Sequence, residues 1–108
     1  MEKISDQEII KKIEDLFRVP DRVLDKVNIT AEKVRGGYAI FENRVPWDGS
    51  DKPWSKSPVA KIILHRLSDN WKVYWMRTSG RWEFYGQYTS INKALKIIDE
   101  DVNGCFWG

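Results

Sequence analysis

The chain has 108 residues, a length that fits one domain spanning 1–108. Its hydrophobic content of 42 % supports a core, and its 31 % of charged residues nearly cancel at +2, which argues against disorder and gives only weak support to a polyanion-binding class. One cysteine, Cys105, excludes an internal disulfide, and one histidine, His65, excludes any site built on two imidazoles.

The segment Ser5-Asp6-Gln7-Glu8 reads as a capping box, with the Ser5 hydroxyl accepting from the Glu8 N–H. Ile9, Ile10, Ile13, Leu16 and Phe17 recur at helical spacing, so a first helix is predicted from Asp6 to Phe17, ending before Pro20. Pro20 to Lys26 reads as a short helical turn or a loop. Val27–Val34 alternates apolar and polar residues as a strand does, and Arg35-Gly36-Gly37 turns the chain into a second strand, Tyr38–Val45. Residues 46–57 hold Asp48-Gly49 and Lys52-Pro53 and must form a loop, which carries Trp47 and Trp54. Three strands follow, at Pro58–Leu67, Trp71–Arg77 and Arg81–Gln87, joined by turns at Ser68-Asp69-Asn70 and Thr78-Ser79-Gly80. Thr89-Ser90 offers an N-cap to a last helix whose apolar stripe is Ile91, Ala94, Leu95, Ile98 and Val102, and Asn103-Gly104 is a left-handed stop. Phe106 and Trp107 form an apolar tail expected to pack back on the body. The fold class is therefore α+β: helix, five-stranded antiparallel meander, helix, with both helices on one face.

Residues 71–85 include six aromatic side chains interleaved with Lys72, Arg77 and Arg81. Large rings among cations make either a core or a contact surface. The charge distribution bears on this: residues 1–30 sum to −1, residues 31–88 to +4 and residues 89–108 to −1, so the strands are basic and the helices slightly acidic. If Leu67 opposes Trp71, then Ala60, Ile62, Leu64 and Met76 form the face that meets Ile13, Phe17, Leu95 and Ile98. The other face then presents Lys61, His65, Trp75, Arg77 and Trp82, joined by Tyr38, Glu42 and Arg44 if Ala39 and Phe41 point inward.

Two functional classes remain open. An aromatic-basic sheet face suits a binding module, for single-stranded nucleic acid, whose bases stack on rings while cations track phosphates, or for a protein partner or second copy. The alternative is a small enzyme with a polar site around Glu42, Arg44 and Arg77, with Glu42 as general base and an arginine as anion clamp. The bland readings are that the tryptophans are core residues or lie under the 46–57 loop and the tail, and that Glu42 forms a surface ion pair. Zinc spacing, phosphate-binding loop, dinucleotide fingerprint and nucleophile elbow are absent from the sequence, and no cofactor is expected. The lone Cys105 suits a reducing compartment, the first residues have no apolar signal core, and no apolar run approaches the roughly 20 residues that span a bilayer. The expectation is a cytoplasmic protein without a membrane role.

Several blocks carry a resemblance: Glu42-Asn-Arg44 with Pro46-Trp47, Pro58-Val-Ala-Lys61, Trp71-Lys-Val-Tyr-Trp-Met-Arg77, Trp82 with Tyr85, and Gly104-Cys-Phe-Trp-Gly108. Over about residues 5–108 the chain resembles the uncharacterised bacterial family known as domain of unknown function 3024. The resemblance implies a small stand-alone bacterial protein, and suggests that the Glu-x-Arg and Trp-Met-Arg positions belong together. It implies no activity. The family's frequent double proline after the first helix is reduced here to Val19-Pro20, so the entry into the first strand is expected to differ.

Overall fold

The computed structural model describes residues 5–107. Met1–Ile4 and Gly108, the last residue of the terminal block, lie outside them. Helix α1 runs Asp6–Leu16 and begins as its sequence dictates: Ser5 is extended, and its hydroxyl accepts from the Glu8 N–H at 3.2 Å. A short 3-10 turn at Asp21–Val23 leads from Pro20 into the sheet. The strands are β1 Val27–Val34, β2 Gly37–Arg44, β3 Ser55–His65, β4 Asn70–Met76 and β5 Trp82–Tyr88. They pair in sequence order, every neighbour antiparallel, so the sheet is a meander. Helix α2, Ile91–Glu100, is capped by Ser90, whose hydroxyl accepts from the Lys93 N–H at 3.2 Å.

Both helices lie on one face. Ile13 and Phe17 of α1, with Ala94, Leu95 and Ile98 of α2, share one buried cluster with Ala31, Tyr38, Ile40, Ala60, Ile62 and Val73 of the strands. Two hydrogen bonds fasten α1 to the sheet: the Tyr38 hydroxyl donates to Asp6 at 2.6 Å, and the Ala31 N–H of β1 donates to Glu14 Oε2 at 3.0 Å. Lys12 of α1 hydrogen-bonds Asn92 of α2.

The tail packs back as its apolarity requires. Helix α2 stops earlier than Asn103-Gly104, at Asp101, which takes a left-handed conformation with φ 44°. The Asp101 carboxylate then accepts from the N–H groups of Phe106 and Trp107, at 3.0 and 2.8 Å. Trp107 donates its indole N–H to the Ile98 carbonyl and sets its ring 5.3 Å from that of Phe17. Val102, expected on the helix stripe, is instead 80 % exposed beyond the stop. No helix among the described residues is long and apolar enough to cross a membrane.

Two strands, β4 and β2, show the opposite face from the expected one. Leu64, not Leu67, stands near the hairpin end opposite Trp71, because four residues, 66–69, make the turn, with Asp69 left-handed at φ 59°. Leu67 sits in that turn, 96 % exposed. The register differs from the expected one by an odd number of residues, and an odd shift turns every side chain of a strand over. Ala60, Ile62 and Leu64 keep the expected helix face. Val73 is fully buried under the helices, Trp71 and Trp75 pack against the same cluster, and Tyr74 and Met76 point the other way. The register of β2 is likewise opposite to the expected one: Tyr38 and Ile40 face the helices, while Ala39 and Phe41 point away from them.

Candidate binding face

Alternation along the five strands places Phe41, Ile63, Tyr74, Met76, Trp82 and Phe84 on the face opposite the helices. Two bulges set the details. One lies between Ile40 and Phe41 in the β2–β3 pairing and lets both Val59 and Ala60 be buried. The other lies between Val73 and Tyr74 in the β4–β5 pairing, where Tyr85 is the extra residue. Tyr85 packs toward the core, its ring 4.9 Å from Phe106, while Phe84 stays on the open side.

The rings of this face are organised around lysines. The Lys61 ammonium lies 4.9 Å from the Trp82 ring centre and 5.1 Å from that of Tyr74. Tyr74 meets Phe84 edge-on at 5.8 Å, and Phe84 is 52 % exposed. Lys56 lies 4.4 Å over Phe41 and pairs with Glu32 at 2.5 Å. Lys72, opposite Gln87 on β5 and Ile63 on β3, completes the set. Arg35, Phe41, Lys61, Ile63, Met76 and Trp82 border a shallow depression of about 470 Å³. Among the described residues, Glu32 is the only carboxylate that strand alternation places on this face, and Lys56 already holds it.

Of the seven residues singled out in the sequence, three are here. Lys61 and Trp82 are in contact, and His65 lies toward the β3–β4 turn, its Nδ1 hydrogen-bonded to the Ser68 hydroxyl at 2.7 Å. The other four lie on the helix side, which corrects their expected place beside Lys61. Glu42 and Arg44 form an ion pair at 2.8 Å, and that hydrogen bond raises the Arg44 guanidinium above its ordinary range. Trp75 packs against the core, with the Arg77 guanidinium 6.0 Å from its ring centre and Glu83 3.4 Å from Arg77. Glu42 borders a mostly apolar hollow between the end of α1 and Trp107. Each member of the possible polar site therefore has a local ionic partner.

Phe41, Lys56, Lys72, Tyr74 and Met76 are the members of the face that sequence reasoning missed. The signal was present, since Lys61 and Tyr74 are direct cross-strand partners, but reading it required the length of the β3–β4 turn. The loop stays off the depression. It shortens to 45–54 because β3 starts at Ser55, its Trp47 is 96 % exposed, and none of its residues borders the depression. The tail lies on the helix side, against Phe17.

The model of one protein family, described as a domain of unknown function (DUF3024), matches residues 1–108. The chain belongs to this family. No curated protein and no solved structure matches it. The DUF3024 blocks quoted from the sequence now have places. Ile40, Ala60 and Trp75 form one row across β2, β3 and β4. Glu42 and Arg77 each lie two residues beyond that row in the same direction, on the helix side, separated by β3. The Glu-x-Arg and Trp-Met-Arg positions are thus near neighbours at one end of the sheet, while Lys61 and Trp82 of two other blocks meet on the opposite face.

Proposed function

We propose that this DUF3024 protein is a non-enzymatic binding module of the bacterial cytoplasm, and that its ligand surface is the open face of the sheet. The observation that carries the reading is the row of exposed Phe84 and half-buried Tyr74 and Trp82 around Lys61, on the sheet face opposite both helices. A contiguous apolar and aromatic patch left exposed by a small protein normally marks a contact surface. The site set of this reading is Lys61, His65 and Trp82, extended by Phe41, Lys72, Tyr74 and Phe84. Glu42, Arg44, Trp75 and Arg77 support the fold from the other side of the sheet. Their ion pairs favour a structural role over the small-enzyme alternative, because a carboxylate already held by an arginine is a poor general base.

The test is capture from a native lysate by the immobilised protein, with and without nuclease. Material retained by the wild type should be lost with a Trp82→Ala/Phe84→Ala variant and kept with a Lys93→Ala/Lys96→Ala variant of α2, both checked for folding by circular dichroism. Retention that ignores the open-face substitutions would overturn the reading.

A further inference from the structure

We infer that the ligand of the open face is single-stranded nucleic acid, with bases stacked on Trp82 and Phe84 and phosphates held by Lys61 and Lys72. The inference rests on the binding-face reading above and names its ligand. Charge decides first. The face carries Lys56, Lys61 and Lys72 with Arg35 at its border, against one carboxylate that is already paired. A second copy of the chain docked face to face would bring these cations against one another. An anionic ligand removes that repulsion, and the remainder of the molecule, slightly acidic in both helical segments, does not compete for it.

Ring geometry decides next. Phe84 is half-exposed on the outer strand β5 and buttressed edge-on by Tyr74, which leaves a ring held in place and open to solvent. Trp82 is two residues away on the same strand face, so the two rings can take neighbouring bases. The Lys61 ammonium that rests over Trp82 is held there only by the ring quadrupole, since it has no carboxylate partner among the described residues. A phosphate would draw it off and leave the indole face to a base. Lys61 and Lys72 stand diagonally across the β3–β4 pair, because Ile63 is the direct partner of Lys72. Diagonal neighbours lie about 7–8 Å apart at the backbone, and long side chains adjust from there to successive phosphates. Paired bases present no ring faces to such a surface, so a duplex meets only the lysines.

The experiment is a titration of fluorescein-labelled thymidine and uridine oligonucleotides, single-stranded and duplex, followed by anisotropy at low and moderate salt. The single strand should bind, with a log–log salt slope of about −0.7 per phosphate contact. A Lys61→Gln/Lys72→Gln variant should reduce the magnitude of that slope by about 1.4. Phe84→Ala should weaken binding roughly 5- to 150-fold, the loss of one stacked base. The Lys93→Ala/Lys96→Ala variant, with the same loss of charge, should bind as the wild type does. Because Trp82 is partly packed, Lys61→Gln/Lys72→Gln and Phe84→Ala carry the test if a Trp82 variant unfolds. No binding at low salt, equal binding of duplex and single strand, or binding unchanged in the open-face variants would overturn the inference. A labelled poly-glutamate peptide is titrated in parallel. If it binds and loses affinity in the open-face variants while the oligonucleotides do not bind, the ligand class is wrong and the binding face stands. If lysate capture is also indifferent to the face, the binding-face reading itself fails.

Discussion

Asp101 joins three tasks in one side chain. It ends α2, holds a left-handed backbone, and accepts two N–H groups that would otherwise be left unpaired in the packed tail. Asp101→Ala should cost about 1.5–3 kcal/mol through the hydrogen bonds to a charged acceptor, with left-handed strain added. Asp101→Gly removes the same bonds without the strain and should be about 1 kcal/mol less damaging. Urea titration separates the two, and a red shift of tryptophan emission reports release of Trp107 from Phe17 and Ile98. Tyr38 gives a second residue-scale expectation. Burial pushes its hydroxyl up to about 12, and the hydrogen bond to Asp6 and the charge of that carboxylate push the same way. An unfolded tyrosine ionises near 10. The folded state therefore favours the protonated phenol, and its contribution to stability is complete below about pH 10 and lost as pH rises toward 12. Tyr38→Phe should flatten the fall in stability over that window, and should remove the latest phenolate from an absorbance titration.

At the scale of elements, the reading from sequence succeeds wherever local chemistry decides and stops where pairing decides. The Ser5 and Ser90 caps, the apolar stripes of α1 and α2 and the bounds of β1 follow from side chains within a few residues of one another. The face of β4 does not, because it depends on how many residues turn the β3–β4 corner. Leu67 is apolar and continues the alternation of β3, so it reads as strand; the left-handed Asp69 closes the turn two residues beyond it and leaves Leu67 in solvent. That slip alone moves Trp75 to the helices and Tyr74 to the open side. Lys61 and Trp82 share a face as expected, because Met76, which points away from the helices, is the direct partner of Trp82. The bulges at Val59 and Tyr85 exist only in the paired sheet and leave no mark on either strand alone. A pair of substitutions checks the register. Ile62→Ala, at a fully buried site, should cost about 2–5 kcal/mol. Leu67→Lys, in the exposed turn, should change stability by less than about 0.5 kcal/mol. Comparable losses at both positions, measured by urea denaturation, would contradict the pairing described.

Over the whole molecule, the meander keeps every strand beside its sequence neighbour, and both helices gather on one face of the basic sheet. The same topology leaves β1 and β5 as the two rims of an open sheet, and an outer strand carries backbone donors and acceptors with no strand to meet them. Here α1 lies beside β1, and Glu14 places a carboxylate oxygen on the outward amide of Ala31. That bond fastens the helix, but it also occupies a position at which another polypeptide would begin to add a strand. Glu14→Ala should therefore do more than loosen α1. Sedimentation velocity over a range of protein concentrations should show the wild type remaining as a single small species, and the variant drifting toward larger ones with loss of soluble material on storage. Glu14→Gln, which keeps an oxygen acceptor in reach, should behave as the wild type. Association of Glu14→Ala but not of Glu14→Gln would assign protection of the β1 edge to this one side chain.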